Sequence, residues 1–559
     1  MTGRRPLTEA DTIKAPLAAP PVPLVISARN GASHWNRDEL FAAGALTLGE
    51  LLSHVPGVTL MTTGFLLAPS IVAWHGDPAG VRIFLDGIER EEMTIRNAGV
   101  TDYALIPVWA LEEISLEEAA GELRVHAVTW RVDRTTPSTR TDVLTGSENL
   151  NLFRGYFGRR ASNGAVIQLA AQQVSTISVP GLDGDALGAM GRIGWAGGSW
   201  SVDGTVLRQG LKRNVGARFL LTDSPNGNAL PAYEGSTSTS YLRIGWKNPQ
   251  SPGAWAQFVA ATLGSALKQP AGVSGVAADS GDTTASQAQY VAQAGVNRGR
   301  LRLNAVTRVR SLGGTTDVAP LGRAEFVVPK ASVSASAGKR FSGESVWDVR
   351  AQAAPRNWFR VAATTGTYKP SGASATRMAS SIDASVRVRG RWIGGGVRRV
   401  DAGRVSGPVE FDSAAQAVDI PKGSALTVSA GGPVWRNWNV QTNVVQWDAA
   451  TPFRPQTEVR TKFWFASDFR ERFPNSTFEV MAALNHEFRS RLFVPNGTDP
   501  IGQVSKAYSV FGTLLEIRIA SAVISWDYRN MVGLNYETFP GYVMPKIASV
   551  YGIRWQFWN

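Results

Sequence analysis

The sequence contains no cysteine and only five histidines: His34, His54, His75, His126 and His486. Without cysteine there are no disulfides, iron–sulfur clusters, thiol nucleophiles or Cys-type zinc sites. No two histidines stand at the i, i+4 spacing of a helical metal site, and no H-E-x-x-H occurs. A P-loop, a G-x-S-x-G elbow and a kinase signature are also missing. The reading is therefore no enzyme, no catalytic residue, no metal site and no cofactor. No run of 18 or more apolar residues is present, so no helix is long enough to span a bilayer. Charged residues are also scarce, at 18%, where an average soluble protein has roughly 25%.

What is abundant is glycine and aromatic surface: 57 Gly, 18 Trp and 22 Phe in 559 residues. With 43% apolar residues the chain can bury or solvate a large apolar surface, which excludes bulk disorder. Lys and Arg total 57 against 45 Asp and Glu, a net charge of +12.

The chain divides into unlike parts. Residues 1–33 form a Pro/Ala-rich arm without periodicity, expected to be extended. Met1–Gly3 and Arg4-Arg5 suit the head of a signal peptide, but four prolines between residues 15 and 26 make a poor helical h-region. In residues 34–136, Leu48, Leu51 and Leu52 fall on one helical face, and Pro56-Gly57 stops that helix. Short strands are expected at Ile71–Trp74 and at Val81–Leu85, the latter ending in the turn dipeptide Asp86-Gly87. Ile106-Pro107 precedes a short helix, Val108–Glu113, and strands follow at Ile114–Glu117 and Leu123–Val132.

Residues 137–559 read as strand after strand of period-2 alternation. Leu242, Ile244 and Trp246 alternate with Arg243, Gly245 and Lys247. Ile382, Ala384, Val386 and Val388 alternate with Asp383, Ser385, Arg387 and Arg389. Tyr551, Ile553, Trp555 and Phe557 alternate with Gly552, Arg554 and Gln556. One face is apolar and the other often carries several charges. A soluble sandwich and a membrane barrel both produce this pattern. Roughly 20 strands of about 10 residues suit tilted spans of a bilayer. No helical segment is available to cover such a sheet, and no linker divides it. Aromatic residues near strand ends (Trp392, Trp435, Trp438, Trp447, Trp555, Trp558) suit interfacial girdles. Tight connections (Pro249–Pro252, Asn297–Gly299, Pro355–Asn357, Ala520-Ser521) alternate with long ones (Gly210–Thr237, Lys268–Ser286, Arg404–Gly423, Phe493–Lys506), as in outer-membrane barrels. The fold class is thus an all-β transmembrane antiparallel barrel of about 20–22 strands with a small N-terminal α/β domain. A soluble all-β enzyme or lectin is the lesser reading.

The order of four motifs in residues 34–136 resembles the plug domain of TonB-dependent outer-membrane receptors. They are Leu48–Val58 with its Pro56-Gly57-Val58 end, His75-Gly76 where the family has Arg-Gly, Val81–Ile88 with Asp86-Gly87, and Ile106-Pro107 leading through Leu111 to Leu116. The strand Ser549–Asn559 is similar to the C-terminal signal read by the barrel-assembly machinery, with Tyr551, Ile553, Trp555, Phe557 and Trp558 as its residues. The resemblance implies a plug inside the lumen of a 22-stranded barrel in the cell outer membrane. The 422 residues from 138 onward leave about 19 per strand and connection, which implies short loops. The family's Tyr-Gly and Gly-Val-Ile plug closure is matched only late, by Tyr156–Gly158 and Asn163–Ile167. Asn151–Arg159 and Ala165–Val174 are read instead as the first barrel hairpin. A TonB box, which would add a strand to periplasmic TonB, has one candidate, Leu24-Val25-Ile26-Ser27-Ala28; the competing reading is the first plug strand.

Weighed singly, Asp86-Gly87 reads as a structural turn rather than a ligand contact. Glu112, Glu113, Glu117, Glu118 and Glu122 either pair with lumen arginines or face the periplasm. Arg243, Lys247, Arg302, Arg308, Arg310, Arg387 and Arg389 are candidate lumen-facing cations. They would either enrich anions in the lumen or pair with acids there. The charge is spread along strands, which does not suit nucleic acid; contact with lipopolysaccharide at the outer rim accounts for some of the excess. The functional expectation is a receptor-like transporter taking up an unidentified small solute by ligand binding and plug gating. Its partners would be outer-membrane lipid, periplasmic TonB and, during biogenesis, the assembly machinery. The alternative is a plugged barrel with a structural, adhesive or surface-docking role and no TonB coupling.

Overall fold

The computed structural model describes residues 17–21, 33–64, 66–90, 102–119, 121–132, 134–176, 184–213, 233–268, 283–369, 376–405, 417–471, 477–496 and 499–558. The candidate TonB box, residues 24–28, lies outside them.

The N-terminal unit is built on a five-stranded sheet. Its strands are β1 (His34–Asn36), β4 (Val81–Leu85), β5 (Ile88–Arg90), β6 (Leu111–Glu118) and β7 (Leu123–Thr129), in the order β1-β6-β7-β4-β5, with β4 and β7 parallel. A separate hairpin pairs β2 (Val58–Thr62) with β3 (Ser70–Trp74). Helix α1 (Arg37–Ala42) starts in a capping box: Asn36 accepts from the Glu39 amide at 3.1 Å and Glu39 returns a bond to the Asn36 amide at 2.9 Å. Helix α2 (Leu48–Ser53) is capped by Thr47, and Leu48, Leu51 and Leu52 are fully buried, as the spacing predicts. The helix expected at Val108–Glu113 is a single 3₁₀ turn, Val108–Ala110. Pro107 lacks an amide proton, and β6 takes the chain from Leu111 because its alternation already pairs with β7.

The rest of the chain forms one closed antiparallel barrel of 22 strands. Its first strand is Ser138–Gly146 and its last is Ala548–Trp558, which pair to close the wall, with Trp558 opposite Ser138. The hairpin Leu150–Arg160 and Ala165–Thr176, turned at 161–164, therefore supplies the second and third strands rather than the first two. Sequence reading missed Ser138–Gly146 because three of its four outward positions, Thr139, Thr141 and Thr145, are threonine and only Val143 is apolar. Elsewhere the alternation is regular. In Leu150–Arg160, Leu152, Arg154 and Tyr156 turn inward while Phe153 and Phe157 face out. Leu187 and Ile193 are 66% and 67% exposed on the outer surface, which in water would be unfavourable and in a bilayer is required.

Connections differ at the two ends. The end that holds Ser138 and Trp558 carries turns as short as 198–199, 299–300, 357–358 and 520–521. The opposite end carries the long connections, such as 401–422 and 490–507, which contain their own small hairpins Gly403–Val405/Val418–Ile420 and Leu492–Asn496/Asp499–Ser505. The N-terminal unit fills the lumen. Its apolar core runs without a break from Leu51, Trp109 and Leu116 into Tyr156, Met190 and Leu207 of the wall.

Candidate plug–barrel lock and gate

Three clusters of polar contacts hold the N-terminal unit to the wall. The first surrounds the turn between β4 and β5. Asp86 (φ +51°) and Gly87 (φ +80°) both take the left-handed conformation that this tight turn demands. The Asp86 carboxylate is fully buried. It accepts from the Thr129 amide at 3.1 Å, the Thr129 hydroxyl at 2.5 Å and the Tyr241 hydroxyl at 2.8 Å. Arg192 and Arg131 stand at 3.5 and 3.7 Å, and Arg243 donates to the Asp86 carbonyl. Burial alone would raise the acid's pKa, but Arg131, Arg192 and Arg243 outweigh it and hold the carboxyl near about 2. Arg192 and Gln168 also donate to the Trp130 carbonyl, at 2.5 and 3.0 Å.

The second cluster lies on the same sheet, around β6 and β7. Glu117 pairs with Arg323 at 2.7 Å, with Arg124 at 3.4 Å and with His126 at 3.1 Å. Glu122 pairs with Arg124 at 2.7 Å and with Arg340 of the wall. Arg124 in turn reaches Asp348 of the wall at 3.0 Å. Glu117 is held well below the ordinary carboxylate range: its burial opposes ionisation, and Arg323 and Arg124 overcome that. Glu118 binds Arg398 at 3.0 Å, whereas Glu113 pairs with His34 at 3.1 Å inside its own domain.

The third cluster faces the long connections. Gly57 (φ +87°) leaves room for the His75 ring, which a side chain there would meet at 2.9 Å. His75 stacks on Trp74 with ring centres 3.8 Å apart and bonds Arg398. Trp447, expected among the interfacial aromatics, instead turns inward, is 3% exposed and meets His75 edge-on. On its other side lies the buried Arg454 guanidinium, 4.3 Å from the Trp447 ring centre. Asp77, at the tip of this turn, is pushed up to about 6 by burial, against the pull of Arg377 and Arg340.

Part of the arm is also inside. Residues 17–21 cross the inner wall near the short-turn end. Leu17 packs on Val166 and Ala196. The Ala18 amide donates to Ser201 at 3.1 Å, and its carbonyl accepts from Arg131 at 3.0 Å. Gln257 donates to the Ala19 carbonyl at 2.7 Å. Gly245 allows this path, since a methyl there would collide with Ala18. Pro20 and Pro21 floor a cavity of about 80 Å³ walled by Phe84, His126, Trp255 and Arg308.

The sequence-derived residues fall as follows. Pro56, Gly57, Asp86, Gly87, Ile106 and Pro107 all lie buried or half-buried at the plug–wall contacts or beneath them. Arg243 faces the lumen at the Asp86 turn; Arg308 lies 4.9 Å over Phe84; Arg310 pairs with Asp317 at 2.6 Å on the neighbouring strand. Arg302 is half-buried on the inward phase. Arg387 is exposed at the end of its strand, and Lys247 and Arg389 occupy tight turns with φ of +59° and +49°. Arg387 keeps the inward phase of its strand, shared with Asp383 and Ser385, whereas Lys247 and Arg389 correct the lumen-facing assignment, because the alternation stops where the turn begins. Tyr551, Ile553 and Trp555 face outward, and Trp555 lies against Phe557. Trp558 ends the closing strand. Sequence reading passed over Arg192, Tyr241, Arg323 and Arg398. Each shares the inward phase of its strand, and that phase was the available signal.

No protein-family model and no curated protein matches the chain. Solved structures do. The FrpB iron transporter from Neisseria meningitidis (F3-3 variant) superposes with a TM-score of 0.72 at 10% identity, covering 95% of this chain and 100% of that one. The siderophore receptor PirA from Acinetobacter baumannii gives 0.69 at 12% identity, covering 95% and 98%. The ferric yersiniabactin uptake receptor FyuA from Yersinia pestis gives 0.67 at 11%, again covering 95% and 98%. The chain shares their whole fold, with a folded N-terminal unit inside a 22-stranded barrel.

Proposed function

We propose that this chain is a TonB-dependent receptor of the outer membrane that takes up a small solute by binding and plug gating. In this reading residues 1–33 are the coupling arm, 34–136 the plug and 137–559 the barrel. The short-turn end faces the periplasm and the long connections face outward, the arrangement usual for such barrels. The observation that carries the reading is the plug itself: a folded unit sealed in a closed barrel, with its arm threaded beside it toward the periplasmic rim. A purely structural barrel has no need of a charged, water-excluded lock around a separately folded insert.

No covalent chemistry is involved. Solute binding at the outer mouth would involve the tip around His75 and Asp77 and the connections above it. A pull on the candidate TonB box, residues 24–28, would first break three hydrogen bonds of the arm, those of Ala18 and Ala19. The cavity above Pro20 and Pro21 would then open toward the periplasm while the Asp86 lock still held. The solute is unidentified. The neighbours named for iron, siderophores and ferric yersiniabactin put ferric chelates first among the solutes to test.

The test is binding of the detergent-folded protein to a TonB C-terminal domain, beside a variant lacking residues 1–30. Binding that disappears with the arm supports coupled import. Absence of binding by a folded barrel overturns the coupling and leaves the structural or docking role.

A further inference from the structure

The short-turn end of the barrel carries cations with few acids beside them. Of the ten connections at the short-turn end, 468–477 holds Asp468 and Glu471; the other nine, residues 161–164, 198–199, 247–252, 299–300, 329–330, 357–358, 389–390, 436–437 and 520–521, contain no Asp or Glu. They contain Lys247, Arg300, Lys330, Arg389 and Arg436, all exposed. Among the described residues none of these five forms an ion pair. The strand ends beside them add further exposed cations, such as Arg159. The opposite end differs in being mixed: its cations, among them Lys369, Arg404, Lys422, Arg491, Lys506 and Lys546, are interspersed with Glu148, Glu344, Asp401, Asp419 and Asp448.

These cations are set on an aromatic belt. Lys247 lies 4.6 Å from the Trp246 ring centre, and Arg436 lies 5.3 Å from that of Trp435. Trp200 is 56% exposed on the outside of the wall, and Trp358 and Trp435, at the turns, are 56% and 64% exposed. Tryptophan settles at the headgroup level of a bilayer, and a long cationic side chain beside it extends into the phosphate layer. The five charged turns run around half of the barrel from the sixth strand to the seventeenth, so the charge forms an arc that follows the membrane plane. A protein partner would be met by one patch; an arc at headgroup depth is met by lipid.

We propose that this rim binds anionic phospholipid headgroups of the periplasmic leaflet, phosphatidylglycerol or its dimeric relatives, in preference to zwitterionic ones. An anionic headgroup beside a surface lysine or arginine gains enough attraction for a roughly fivefold preference per site. The bound lipids would fix the depth and tilt of the barrel at that rim. The proposal goes beyond transport and does not depend on it.

The experiment reconstitutes the full chain in vesicles of phosphatidylcholine containing a minor share of brominated phosphatidylglycerol, or of brominated phosphatidylcholine, and measures quenching of tryptophan fluorescence. Stronger quenching by the brominated phosphatidylglycerol is expected. The preference should approach unity in the variant K247Q/R300Q/K330Q/R389Q/R436Q and remain in the opposite-rim control R404Q/K422Q. Heat-modifiable migration checks that each barrel is folded. In the wild-type protein alone, the preference should also fall as salt rises toward roughly 0.5 M, where the screening length is only a few ångströms. Equal quenching by the two lipids, or a preference unmoved by both salt and the five substitutions, overturns the proposal and leaves an acidic periplasmic protein as the partner to seek.

Discussion

The Tyr241 hydroxyl donates a hydrogen bond to the Asp86 carboxylate at 2.8 Å, joining a barrel strand to the tightest turn of the plug. Around that contact Arg192 and Arg243, both fully buried, have the same carboxylate and its backbone carbonyl as partners. Asp86→Asn removes one of the two buried carboxylates that face Arg192 and leaves Asp203, at 3.6 Å, as the remaining negative charge beside the buried guanidinium groups. Breaking a buried pair in this way costs about 3–5 kcal/mol. Hydrogen exchange of β4 and β7 amides should speed up by the corresponding factor while barrel-strand amides stay protected. Unchanged plug protection would mean that the turn is held by packing alone.

The same carboxyl sets a pH dependence. Its folded pKa is depressed, to about 2 from an ordinary 3.8. Its contribution to plug retention is therefore complete above pH 3.8 and is lost as pH falls through about 2. Asp77 has the opposite sign, being raised to about 6 from 3.8. Its protonated form is favoured in the fold, so its contribution is complete below pH 3.8 and declines as pH rises through about 6. Acidification from pH 7 to 4 should tighten the tip that carries Asp77 and leave the Asp86 turn unaffected. Exchange rates at the two turns, followed against pH, separate these effects.

Gly245 is where the wall makes room for the arm. Gly245→Val should expel residues 17–21 from the lumen. Because the chain lacks cysteine, a single Ala18→Cys reports on this directly. Its maleimide labelling should be slow in the otherwise native protein and at least tenfold faster with Gly245→Val. Deleting residues 1–22 should raise ion conductance in a planar bilayer, since Pro20 and Pro21 floor the cavity. Conductance at the native level would place the seal elsewhere.

Gly188 faces Trp109 of the plug, and a side-chain carbon there would come within 2.5 Å of the indole. Gly188→Ala therefore overpacks the wall against the plug, at a cost of about 1–3 kcal/mol. Thermal unfolding of the plug, followed by tryptophan emission, should shift down by several degrees. An unshifted transition would mean that the strand bends away without penalty.

The barrel was legible because its alternation comes from a physical requirement: outward positions meet lipid and inward ones meet water or the plug. Ile382, Val386 and Ile553 obey it from sequence alone, and the sites of short and long connections follow. The first strand was illegible because threonine at outward positions carries no sign of facing lipid. The lock was half legible. Arg243 and Asp86-Gly87 each stood out, but nothing in one sequence states that residues 157 apart share a contact. Strand phase identified Arg308 and Arg310 as inward-facing and failed at Lys247 and Arg389, where the left-handed backbone of a turn interrupts the phase.

The pairing of Ser138 with Trp558 has a consequence for how the molecule is made. That seam joins residues from opposite ends of the 22-strand wall, so it closes only after every other strand has been laid down. The plug precedes all of them in the chain and is tethered to the first strand through residues 130–137. It can therefore stand within the curl of the sheet before the circle is completed, and need not enter through an open end of a finished barrel. Synthesis supplies the plug first and the seam last, and such long-range closure is slow. The delay gives the plug time to fold before it is enclosed.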